Sequence, residues 1–182
     1  MPFLQPDYKN PSGASQFMKL QDGKNRFRVL TDAIVGWEGW KNKKPFRRPG
    51  VEKNIEDYEV DLDSYGKPNV KHFWAFGVWN MTTPAKPVCQ ILEITQVTIM
   101  RAIENYITLE EYGDPQGYDL IITSGKDKDG KVTYNVAAMP PKETPQEAIE
   151  ALMKSKIDLN KLFEGEYPMQ ATDDYDSDPL MQ

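Results

Sequence analysis

The sequence predicts a mainly β domain with helices: five short strands, a helix between the third and the fourth, a terminal helix and a disordered acidic tail. Three features predict it. Polar and apolar residues alternate at Arg26-Phe27-Arg28-Val29, as in a half-buried strand. The run Lys71-His72-Phe73-Trp74-Ala75-Phe76-Gly77-Val78-Trp79 is dominated by aromatic and other strand-favouring residues. At Thr95 the period changes, with Val97, Met100, Ile103 and Ile107 recurring at helical spacing. At 182 residues the chain suits one core plus an arm or tail.

Residues 1–24 contain Pro2, Pro6, Pro11 and Gly13 and read as an N-terminal arm, with a short pairing segment at 17–20 and a turn at Asp22-Gly23. The first strand begins at Asn25 and continues through Ile34-Val35 towards Trp37 and Trp40. A charged connection over 41–69 leads to the second strand, and Pro84 and Pro87 mark the turn into a third at 88–94. Thr95 is placed to cap a helix running to about Tyr106. Gly113-Asp114-Pro115-Gln116-Gly117 breaks the chain before a fourth strand at 118–123, which forms a hairpin with a fifth at 132–138. Thr144-Pro145-Gln146-Glu147 supplies an N-cap, a proline at the first helical position and a capping glutamate for a helix to about Ser155. The order βββαββ is that of the OB-fold, a five-stranded barrel whose faces and loops bind oligonucleotides. The body is expected over 25–163 and the tail over 164–182.

The net charge of −6 comes from that tail, where Glu164, Glu166, Asp173, Asp174, Asp176 and Asp178 meet no Lys or Arg. Taking those six from 28 acids leaves 22 in residues 1–163, against 22 bases. Within this neutral body, Lys41, Lys43, Lys44, Arg47 and Arg48 form a basic block, followed by the acidic block Glu52, Glu56, Asp57, Glu59, Asp61 and Asp63. Such segregation can place a positive patch on an acidic molecule. No apolar run reaches the roughly 20 residues of a membrane span, and the start lacks the basic-then-apolar pattern of an export signal, so a soluble cytoplasmic protein is expected. The lone Cys89 precludes an internal disulfide or a cysteine zinc site.

No phosphate-cradling glycine loop is present, the only histidine is His72, and Asp127-Lys128-Asp129-Gly130 lacks the remainder of a calcium loop. Neither an enzyme nor a metal or other cofactor is therefore expected. The four tryptophans fall in two places, Trp37 with Trp40 and Trp74 with Trp79, on either side of the basic block. Cations that track phosphates and aromatic faces that stack on bases are what sequence-tolerant single-strand binding needs. The expected contacts are Arg26, Arg28, Trp37, Trp40, Lys41, Lys43, Lys44, Phe46, Arg47, Arg48 and Lys71, with Lys126 and Lys128 from the loop before the fifth strand. In the second strand the small residues Ala75 and Gly77 leave room for a ligand on one face. Phe73 and Trp79 are accordingly expected at the bases, with Trp74 and Phe76 in the core.

The stretches Asn25-Arg26-Phe27-Arg28-Val29-Leu30, 71–80, Ile91-Leu92-Glu93-Ile94-Thr95-Gln96 and Gly113-Asp114-Pro115-Gln116-Gly117-Tyr118-Asp119 resemble the single-stranded DNA-binding proteins of tailed bacteriophage replication modules, over about residues 17–163. The resemblance implies an OB-fold protein that coats DNA exposed during replication, recombination or repair in a bacterial host. The T-even member carries a structural zinc for which this chain lacks the cysteines, so no metal is carried over. The tail is similar to acidic tails that dock on partner enzymes, which makes Asp173, Asp174, Asp176, Asp178 and Leu180 candidate contacts for phage replication or recombination proteins. Those tails end on Pro-Phe, whereas this chain ends Leu180-Met181-Gln182. An RNA-binding OB protein and a protein-binding adaptor are the alternatives.

Overall fold

The computed structural model describes residues 14–169 and 175–176. Strand β1 (Ala14–Ser15) is followed by β2 (Gly23–Val29), β3 (Ile34–Lys41), β4 (Lys44–Pro49), β5 (Val70–Asn80) and β6 (Val88–Ile94). Helix α1 (Val97–Thr108), strands β7 (Asp119–Lys126) and β8 (Val132–Ala138), helix α2 (Gln146–Ser155) and the two-residue β9 (Tyr175–Asp176) complete the order. The molecule is mainly β, built on an open antiparallel sheet of seven strands in the order β4-β3-β5-β2-β7-β8, with β6 on the other edge of β5. Strands β1 and β9 pair separately, in parallel.

β5 is the spine. One edge pairs first with β3, from Gly39↔Val70 to Ile34↔Ala75, and then with β2, from Val29↔Val78 to Phe27↔Asn80. β2 and β3 are thus two arms of one strand bent at residues 30–33. The Thr31 hydroxyl closes the gap by accepting the Gly77 N–H at 2.8 Å. The room expected at Gly77 is filled, since a Cβ there would stand 3.0 Å from Thr31 and 3.1 Å from Ile157.

Both faces of β5 are covered, which is why its sequence is apolar on both parities. Phe76 and Val78 join Phe27, Val29, Leu92, Ile94, Leu120 and Ile122 in a first core, closed by Ile99, Met100 and Ile103 of α1. Phe73, Ala75 and Trp79 face the opposite way, with Cys89 and Ile91, into a second core roofed by Ala148 of α2, Leu159, Leu162 and Met169. Burial pushes the Cys89 thiol up to about 11 against a hydrogen bond with Ser155.

Several expected details differ. The first strand is split, and β4, inside the stretch read as a connection, is an additional strand. Gln96 rather than Thr95 stands at the α1 N-cap, and Pro145 rather than Thr144 at that of α2. Thr144 is occupied elsewhere, its hydroxyl accepting from Arg28 at 3.1 Å. Residues 16–18 and Met169 are buried, so packing extends beyond 25–163 into the expected arm and tail.

Arg28 and Asp119 pair across β2 and β7 at 2.9 Å, both side chains fully buried, and Arg26 adds a 2.8 Å contact to the same carboxylate. Burial opposes ionisation of Asp119, but the Arg26 hydrogen bond and the charges of Arg28, Lys142 and Arg26 outweigh it and hold the carboxyl below its usual range. Its contribution is therefore present above the ordinary carboxylate pKa and lost as pH falls through the depressed value. Asp119→Ala leaves the Arg28 charge buried without its carboxylate and should cost about 3–5 kcal/mol, read as a lower denaturant midpoint at neutral pH.

Candidate nucleic-acid interface

The hairpin β3–β4 turns through Asn42 and Lys43, whose φ angles of 53° and 64° give the two left-handed residues of a tight two-residue turn. Alternation then sorts the basic block. Trp37, Lys41, Lys44, Phe46 and Arg48 lie on one face of the hairpin, while Glu38, Trp40, Pro45 and Arg47 lie on the other. The three lysines at the tip, Lys41, Lys43 and Lys44, are exposed.

On the first face the acidic block folds back onto the hairpin. Arg48 donates to Glu59 at 2.7 and 3.0 Å and to the Asn54 carbonyl at 2.8 Å. Bonding from Arg48, reinforced by the Glu56 backbone, holds the Glu59 carboxyl down at about 2. Trp37 rests 5.1 Å from His72 and donates its indole N–H to the Val51 carbonyl. Its ring and the Arg48 charge are thus tied to the protein itself.

The second face forms one wall of a cavity of about 430 Å³. Trp40 is half-buried there, its indole N–H donating to Glu38 Oε1 at 3.1 Å. Phe17 and Met18 complete the apolar lining, and Lys19 and Lys71 are exposed at its edge. Arg47, 5 % exposed, lies between two carboxylates, with Nε 3.0 Å from Glu38 and Nη2 2.8 Å from Glu93. Its guanidinium also sits 5.8 Å from the Phe73 ring centroid.

Burial is the largest influence on Glu93, and the neighbouring Glu38 adds to it, so that despite Arg47 its carboxyl is pushed up to about 9. The folded protein keeps this proton where the unfolded chain has lost it. Stability therefore falls as pH rises from the ordinary carboxylate range towards 9. Glu93→Gln, which mimics the protonated acid, should flatten that decline, measured as melting temperature against pH.

The structure gathers only part of the expected interface. Trp40 and Lys71 lie at the cavity, Lys41, Lys43 and Lys44 lie at the hairpin tip with Lys41 and Lys44 on the opposite face, and Lys126 and Lys128 are exposed on the separate β7–β8 hairpin. Arg28 is fully buried, Arg26 is paired with Asp119, and Arg47 and Arg48 are paired with carboxylates. Phe73 and Trp79, expected under bases, are 0 % and 7 % exposed because α2 and the segment after it cover that face. Phe76 is in the core as expected. Trp74 is half-buried and lines an apolar groove of about 390 Å³ with Phe76, Ile103 and Ile107. Lys19, Asn69, Thr95 and the Glu38–Glu93 pair at the cavity were not anticipated; the shared parity of Glu38 and Trp40 was the available signal.

Asp127 accepts the backbone N–H groups of Asp129 and Lys131, which organises the β7–β8 turn. Among the described residues no group of three or more His, Cys, Asp or Glu is placed to hold a metal, and no helix is long and apolar enough to cross a membrane. Of the expected tail contacts, Asp173, Asp174, Asp178 and Leu180 lie outside the described residues, and Asp176 is described through its pairing with Ser15. No family model, curated protein or solved structure matches the chain.

Proposed function

We propose that this protein binds single-stranded DNA with little sequence selection and protects it during replication, recombination or repair, as the resemblance to phage single-strand binders implies. The observation that carries the proposal is the β3–β4 hairpin, whose tip carries three exposed lysines and whose other face carries the half-buried Trp40 at a cavity with Lys19 and Lys71 at its edge. Lysines there supply mobile point charges for phosphates, and the indole supplies a stacking surface. An OB-like architecture is part of the same proposal. It is supported by the order of the elements once β2 and β3 count as one bent strand and the β4 hairpin as an elaboration of the first connection. β8 pairs only with β7, so the sheet is open on that side.

Affinity for a mixed-sequence single strand should exceed that for its duplex and for the matching RNA, and should fall with salt at a log–log slope of about −0.7 per phosphate contacted. Changing Lys41, Lys43 and Lys44 together to Ala should make that slope shallower by about two units. An unchanged slope places the DNA elsewhere, and tighter binding of the RNA assigns the site to RNA. Trp40→Ala should cost about 1–3 kcal/mol of binding with the fold intact. Trp79→Ala should instead cost about 3–5 kcal/mol of stability, read by denaturant unfolding.

A further inference from the structure

We propose that the groove between α1 and the bend of β2 into β3 docks a segment of a partner protein in which an apolar side chain stands beside a lysine or arginine. β5 supplies Trp74 and Phe76, β2 supplies Val29, and α1 supplies Ile103 and Ile107 to this groove of about 390 Å³, whose surface is mostly apolar. Its volume is that of a ligand site rather than of a packing defect. Lys71 and Trp74 stand on opposite faces of β5, so the groove lies away from the cavity beside Trp40, and its occupant is independent of the single-strand reading.

The groove is where the first core remains open. Phe76 and Ile103 are buried, but Trp74 is only half-buried and Ile107, one turn further along α1, is 44 % exposed. An aromatic and a branched aliphatic side chain left in water beside a preformed hollow suit an anchor side chain from another molecule, which would remove that area from water.

The charge around the groove selects that molecule. Asp32 and Asp114 line it, and Gln116 holds both, its amide donating to Asp32 at 3.0 Å and its backbone N–H to Asp114 at 2.9 Å. Among the described residues neither carboxylate is paired with a lysine or arginine. The segments that form the groove, 29–33, 74–76 and 103–116, carry five acids, Asp32, Glu104, Glu110, Glu111 and Asp114, and no base. Arg101 is the one base on α1. Such a rim repels the phosphates of a nucleic acid and attracts a basic protein segment. The same sign disfavours the chain's own 164–182 segment, which has six acids and no lysine or arginine. An apolar anchor in the groove with its neighbouring cation on Asp32 or Asp114 meets both features.

Random dodecapeptides selected on the full-length protein, with Ile107→Ser as the counter-selection target, should yield binders that combine an apolar residue with a lysine or arginine. For such a peptide, fluorescence anisotropy should show affinity lowered about tenfold by Ile107→Ser. Asp32→Asn with Asp114→Asn, which keeps the shape of both side chains, should also lower it about tenfold, with folding of each variant checked by melting. Glu56→Gln with Asp57→Asn, in the acidic block after β4, should leave it unchanged. An equal loss in that control would show general attraction to an acidic protein and overturn the groove. Recovery of no peptide that distinguishes wild type from Ile107→Ser, or of acidic or wholly apolar peptides, would overturn it as well. Self-association of the wild type in sedimentation velocity, abolished by Ile107→Ser, would overturn the partner and give the groove to a second copy of the chain.

Discussion

A single buried guanidinium decides where the last third of the chain goes. Arg28 holds Asp119 across the β2–β7 ladder, and its Nη1 also reaches the Lys142 carbonyl at 3.0 Å and the Thr144 hydroxyl at 3.1 Å. The segment leaving β8 is thereby fixed to the sheet just before α2 begins. From that anchor α2 and the turn after it lie across the face of β5 that carries Phe73, Ala75 and Trp79. The covering of that face of β5 and the second core both depend on it. Breaking one partner of such a pair is costly because the other charge stays behind in a dry site.

Arginine and lysine divide the basic block between structure and surface. Arg47 and Arg48 use their planar forks to clamp Glu38, Glu93 and Glu59, while Lys41, Lys43 and Lys44 remain in water. The neutral average of the body thus conceals a pairing of the arginines with acids that leaves the lysines as the accessible cations. The acidic block after the hairpin supplies part of that pairing through Glu59.

Local patterns were legible in the sequence, and long-range choices were not. The third and fifth strands, the helical period after Thr95 and the split of Phe76 from Phe73 across β5 follow from spacing alone. That the Phe73 side of β5 is covered as well depends on Ala148, Leu159 and Leu162, some 70 residues or more beyond it, and no period in β5 itself reports them. β4 was hidden because its turn is Asn42-Lys43 rather than a glycine turn and all its residues but Phe46 are charged or proline. At the candidate site, Trp40, Lys71 and the hairpin lysines were readable as an aromatic and basic cluster. The carboxylates that neutralise the arginines were not, since Arg28 meets Asp119 from 91 positions away and Arg47 meets Glu93 from 46.

Cys89 lies beneath the roof that α2 and the following segment place over the sheet, 1 % exposed and with its thiol pushed up to about 11. Reaction with an alkylating agent requires both solvent access and the thiolate, and the native packing denies both. The chain has one cysteine, so every labelled molecule records the same event, the lifting of the C-terminal cover. The rate of that labelling in native buffer measures how often one layer of the molecule parts from the other, a clock that the fold carries within its second core.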